Sequence, residues 1–287
     1  MEYYLISTEH LTDSLWFRDE EDFKIGMNHV AATVWVTGVS VLAFVLMTNH
    51  VHFVLACIRS AAEQFISQFK LRYSLYFQKK YGEKEFLRRN KVDIRRVGLE
   101  RESLERSIAY VIMNPVAANI VLNASGYPWS SAASLFNVNP KRGRKLQEVS
   151  VREKRRVLRT ALPLNGDWIL GDDGYILPNC YVCVSEVETL FRSPSRLQYF
   201  LSTSSKARLT LERRADSLPA FRDHVLLSAA DDLCRTLFQK ESREMLSEVE
   251  VSELLRQLKR RLNADVAQLS RALGIQYERA TRLLDSV

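Results

Sequence analysis

A chain of 287 residues with 46% hydrophobic side chains supports real cores and suggests about two domains. Lysine and arginine total 41 against 34 acidic residues, a formal charge of +7 that suits a polyanionic partner such as nucleic acid. No apolar run approaches bilayer length, so no membrane association is expected, and the opening Met-Glu-Tyr-Tyr lacks the basic and apolar segments of a secretory leader. Cys57, Cys180, Cys183 and Cys234 read as reduced thiols of a cytoplasmic protein; Cys180 and Cys183 have metal-like spacing but no second pair follows.

In chain order, Glu2 to Thr8 alternates as a first strand. Asp19 can cap a helix with Glu20, Glu21 and Asp22 in its first turn, and Phe23, Met27, Val30 and Val34 form its apolar stripe up to Gly38. Val39 to Leu46 is continuously apolar, as a central strand is. Thr48-Asn49 makes a tight turn into a second strand, His50 to Cys57. There His50 and His52 project from one face while Val51, Phe53 and Leu55 pack on the other. Two imidazoles side by side are half of a divalent-metal site, or simply two surface histidines.

Ser60 and Glu63 form a capping-box pattern before a helix. Its aromatics Phe65, Phe69, Tyr73, Tyr76 and Phe77 read as core, and the interleaved Lys70 and Arg72 read as a solvated face or as phosphate contacts. A short strand over Val92–Val97 is bordered by Arg88, Arg89, Arg95 and Arg96, which are candidates for the same role. Strand, helix, strand, strand, helix, strand is the α+β, ferredoxin-like order, an antiparallel sheet with helices on one face.

A helix follows from about Arg101 to Asn114, with Leu104, Ile108 and Val111 as its buried stripe. Ser103, Ser107, Tyr110 and Asn114 share a polar face instead, and Pro115 places Asn114 in the last turn. Tyr127-Pro-Trp-Ser-Ser131 reads as an anchoring turn. Residues 137–147 read as a basic linker, so that a unit over 1–136 is followed by a helical extension over 148–240. The extension includes helical spacing at Val151–Thr160, Glu186–Leu201, Ala207–Asp216 and Phe221–Phe238, with a short hairpin in Gly166–Asn179. A last unit over 241–287 opens with a capping box, Ser247 and Glu250. It closes with a short helix from Asp265, a glycine turn at Gly274 and a second helix, a helix-turn-helix-like pattern. Gln276, Arg279 and Arg282 would face a major groove.

Met47-Thr-Asn-His-Val-His52, Tyr110-Val-Ile-Met-Asn-Pro-Val116 and Tyr127-Pro-Trp-Ser-Ser131, in that order over roughly residues 1–135, resemble the REP-associated tyrosine transposases, single-tyrosine members of the HUH endonucleases. The resemblance implies a strand nuclease and transferase acting on single-stranded or hairpin DNA. His50, His52 and Asn114 would bind Mg²⁺ or Mn²⁺, and Tyr110 would be the nucleophile that leaves a 5′-phosphotyrosine and a free 3′-OH. One tyrosine per chain requires two active sites, as in a homodimer, or two sequential reactions. Thr48 stands where the family commonly has proline, and Ala117-Ala118-Asn119 replaces its Arg-Ala-Gly, removing a phosphate contact. The altered sequence after Val116 motivates a competing expectation, a domesticated DNA-binding regulator that no longer cuts. A third reading, an RNA-binding module, needs aromatics on the sheet face that carries the histidines.

Overall fold

The computed structural model describes residues 2–11, 14–84, 86–139, 141–202, 221, 223–262 and 264–285. The helical segment expected at Ala207–Asp216 lies outside them. The protein is a mixed α and β structure built on a four-stranded antiparallel sheet of order β2-β3-β1-β4, with β1 Glu2–Thr8, β2 Ser40–Met47, β3 His50–Cys57 and β4 Val92–Arg96. The pairing register aligns Val45, His52, Ser7 and Asp93 across the four strands, so these side chains share one face.

The two helices that fall between the strands share one face, and a later helix covers the other. Helices α1 (Glu20–Thr37) and α2 (Arg59–Tyr81) pack on the face carrying Ile6, Phe44, Val51, Phe53 and Leu55. Helix α3 (Arg101–Ala117) packs on the other, against Leu42, Val45 and Val54. The reason is the period of two: the even positions of β3 after His52 are themselves apolar and need cover. A bulge between Val41 and Ala43 keeps β2 in phase with both layers. The α2 aromatics behave as core: Phe65, Phe69, Tyr73 and Phe77 are fully buried.

Capping explains most boundaries. Asp19 accepts from the Asp22 N–H, and Gly38 closes α1 at φ 65°, a conformation that costs glycine nothing. The Ser60–Glu63 box does not form. Helix α2 starts two residues earlier, at Arg59 after Ile58 and with no side-chain cap, and Glu63 pairs instead with Arg59 at 2.9 Å. The Tyr127–Ser131 turn anchors as expected: Tyr127 donates to the Leu46 carbonyl at 2.8 Å, and Ser130 bridges Val45 along the β2 edge.

Pro115 does not end α3, which runs on to Ala117. A proline nitrogen cannot donate to the carbonyl four residues back, here Val111. Asn114 supplies the missing donor: its Nδ2 reaches the Val111 carbonyl at 3.3 Å and the Tyr110 carbonyl at 2.9 Å.

The stretch expected to be linker contains β5 (Gly143–Lys145), paired with β6 (Ile169–Gly171). At Gly143 a Cβ would stand 2.2 Å from the Leu170 carbonyl oxygen, so only glycine permits the pairing. Leu146, Val149, Leu158 (the end of α4, Val151–Leu158) and Tyr175 join the α1/α2 core. The helix expected over Glu186–Leu201 is two: α5 (Val184–Phe191) stops at Arg192, φ 63°, and residues 194–202 form α6.

Arg196 of α6 forks onto Glu105 of α3, with Nε and Nη2 at 2.6 and 2.7 Å from the two carboxylate oxygens of a fully buried side chain. Those bonds hold the Glu105 carboxyl below its ordinary pKa. A lowered carboxylate pKa adds stability above the unfolded value that is lost as pH falls through the folded one. Glu105→Gln is therefore expected to cost about 2 kcal/mol near neutrality, a figure discounted because Arg196 is half exposed. The gap from wild type should shrink in urea unfolding at acid pH. A gap independent of pH would remove the charge from the explanation.

Helices α7 (Asp223–Leu237), α8 (Glu248–Leu262), α9 (Val266–Leu273) and α10 (Tyr277–Asp285) share a third core that also takes in Leu15. The Ser247–Glu250 box forms, the Ser247 N–H donating to Glu250 at 2.7 Å. Asp265 caps α9, and Gly274 ends it at φ 67°. This bundle touches the β2–β3 turn, where the Thr48 hydroxyl donates to the Arg261 carbonyl. A proline at position 48 could not make that contact.

Candidate metal and nucleophile site

Three imidazoles gather at the open end of the sheet. His50 and His52 point to the same side of β3, ring centroids 4.8 Å apart, and His10 stacks on His50 at 3.7 Å. The nitrogens they offer all lie within 4.8 Å of one another, so this group could hold a metal ion. A set of imidazole nitrogens converging at that spacing suits a divalent first-row metal. His50 and His52 are buried and His10 is exposed, which leaves the cluster open on one side.

Asn49 organises it. Its Nδ2 donates to the Leu11 carbonyl at 3.0 Å, while the Leu11 N–H donates to the Asn49 carbonyl at 3.1 Å. This reciprocal pair pins the segment after β1 and lays His10 over His50. With Nδ2 engaged, Asn49 turns its Oδ1 toward His50 Nδ1 at 2.7 Å. An amide oxygen only accepts, so His50 Nδ1 carries the proton and Nε2 keeps its lone pair, the tautomer of a metal ligand. His52 Nδ1 meets the Ser7 hydroxyl at 2.8 Å across the strand pair.

Tyr110 comes to this cluster from α3. Its ring lies edge-on to His52, centroids 5.5 Å apart, and the side chain is 37% exposed, reachable by a large substrate. Asn114, one turn on, is fully buried with its amide nitrogen committed to two α3 carbonyls. His10 was missed in the sequence because it lies past the end of β1. The signal was available: pairing β1 against β3 through Ser7 and His52 carries residues 9–10 to the Asn49–His50 corner.

The basic candidates do not form one surface. Arg95 lies in register with Leu5 and Val54 on the histidine face of β4 and pairs with Asp93 at 2.5 Å; Arg96 points the other way and pairs with Glu2 at 2.8 Å. Arg88 and Arg89 are exposed just before that strand. Lys70 is half buried and donates to the Asn90 carbonyl at 2.5 Å. Arg72 faces a cavity among α1, α2 and α4. Gln276, Arg279 and Arg282 are exposed on and beside α10, with Arg279 3.4 Å from Glu248.

All four cysteines are free thiols, and no helix among the described residues is long and apolar enough to cross a membrane. No protein-family description and no curated protein matches the chain. Among solved structures, that of a REP-associated tyrosine transposase bound to a REP hairpin is similar at 13% identity and a TM-score of 0.34, over 46% of this chain and 78% of that one. A likeness that distant transfers no residue roles.

Proposed function

We propose that this protein is a metal-dependent single-strand DNA nuclease and strand transferase with a tyrosine nucleophile. The observation that supports it most is the exposed Tyr110 ring 5.5 Å from His52 within a cluster of three imidazoles. The motif resemblance named the same two side chains independently. On this reading residues 1–136 are a ferredoxin-like HUH unit joined to a helical extension, and α9, Gly274 and α10 form a helix-turn-helix that offers Gln276, Arg279 and Arg282 to DNA.

His50 and His52, completed by His10, would hold Mn²⁺ or Mg²⁺; Asn114 is the resemblance's own candidate for the third position. Bound there, the ion supplies Lewis-acid polarisation of a non-bridging phosphate oxygen. The rest of the chemistry belongs to the chain. The Tyr110 Oη forms a bond to phosphorus as the P–O3′ bond breaks. The phenol gives up its proton and the 3′ oxygen takes one up. The phosphotyrosine retains the energy of the broken bond, so a second 3′-OH can reverse the step elsewhere without ATP. Asn49 and Ser7 orient the imidazoles, and the open side of the cluster admits a strand rather than a small molecule.

The test incubates the full chain with 5′- or 3′-labelled single-stranded hairpins and Mn²⁺, followed by denaturing electrophoresis. A covalent protein–DNA band together with a free 3′-OH fragment is expected. Tight hairpin binding with no adduct and no nick, with either metal, would favour the silent regulator instead.

A further inference from the structure

On the sheet face opposite the imidazole cluster, α1, α2 and α4 enclose a cavity of about 540 Å³. Its lining includes His29, Arg72, Tyr76, Lys79, Arg155 and Arg159. Two cations of the lining are matched: Lys80 lies 2.7 Å from Asp19 and 2.8 Å from Asp22, and Arg159 lies 3.1 Å from Glu21, itself part of the lining. Among the described residues, no carboxylate pairs with Arg72, Lys79 or Arg155. Two polar atoms are also buried without a hydrogen bond there, Arg72 Nε and His29 Nδ1, and His29 is only 3% exposed. Natural interiors rarely leave such atoms unmatched, and a buried guanidinium nitrogen asks for an anion.

A solvated basic face would account for Lys79 and Arg155 but not for the two buried atoms. The cavity lies within the size range of small-ligand sites, and Tyr76 and the exposed Leu75 give it an apolar wall beside the cations. We propose that this cavity binds a phosphorylated ligand of mononucleotide size, with Arg72, Lys79 and Arg155 on the phosphate and the His29 imidazole hydrogen-bonded beside them. Burial, then the Arg72 charge, push the His29 pKa down to about 3, so the ring is neutral and adds direction rather than charge. The phosphate is that of a free nucleotide or of a DNA strand end, and the site does not depend on any chemistry at Tyr110.

The experiment is thermal unfolding and calorimetric titration of the full chain with pyrophosphate, a nucleoside 5′-monophosphate, and a short oligonucleotide bearing either a 5′-phosphate or a 5′-hydroxyl. Saturable binding of pyrophosphate with a rise in Tm is expected. Affinity should fall at least tenfold in Arg72→Gln/Arg155→Gln and stay unchanged in Arg235→Gln/Lys259→Gln, which removes equal charge at exposed positions of α7 and α8. Tighter binding of the monophosphate identifies a nucleotide, and preference for the 5′-phosphorylated strand identifies a DNA end; both support the site. If the double variant does not fold, Lys79→Gln, at an exposed position, serves in its place. No binding of any probe, or equal loss in the control pair, overturns the proposal.

Discussion

Tyr110→Phe is expected to abolish the covalent protein–DNA adduct and to lower strand cleavage by at least about 10³-fold, because a ring without its hydroxyl has no nucleophile to offer. The substitution isolates the oxygen. Phenylalanine keeps the edge-on packing against His52, and the side chain is partly exposed, so the fold should change by no more than about 0.5 kcal/mol. On the proposed reading, hairpin binding would rest on phosphate contacts away from this hydroxyl and should survive. An adduct that persists at wild-type yield would assign the nucleophile elsewhere, and peptide mapping of the linked residue would name it.

The second large effect concerns the ion. His50→Ala or His52→Ala should eliminate metal-dependent cleavage, and His10→Ala should weaken metal affinity by at least about 100-fold, beyond the 10- to 100-fold typical of outer-shell partners. Imidazole donors also rank the metals. Mn²⁺, Co²⁺ and Ni²⁺ should bind well ahead of Mg²⁺, which prefers oxygen ligands. Calorimetric titration of the four ions into wild type and His10→Ala measures both statements. Equal affinities of the two proteins for Mn²⁺ would take His10 out of the donor set and return the third position to Asn114.

Asn114 also shows where sequence reading succeeds and where it stops. Local rules served well: β1 and β3 match their expected ends, Asp19 and Asp265 cap as read, and the period of two put both histidines on one face with Phe53 behind them. The polar face of α3 was legible in part: Tyr110 is exposed and Ser103 and Ser107 are half-buried, but Asn114 on the same face is fully buried. Each misreading arose where a contact outside the expected pattern, local or distant, replaced the usual rule. Pro115 should have ended α3, but the side chain before it provides the donor that proline lacks. Ser60 should have capped α2, but Arg59 continues the helix back to Ile58. A polar run around Gly143 looked like linker because its strand partner lies about two dozen residues later. His10 and the Arg72–Arg155 cavity need a strand register and a helix packing, neither of which is written in any short window.

The imidazole cluster has a thermodynamic consequence of its own. Its members stand on separate segments, one beyond β1 and two on β3, and they meet only when those strands pair and Asn49 closes the corner. The unfolded chain therefore has no comparable chelate to offer. By linkage, an ion at a hundred times its dissociation constant would deepen the native well by about 2.7 kcal/mol. Saturation and folding would then be one equilibrium seen from two sides, and a chelator added to the metal-loaded protein would act as a mild denaturant.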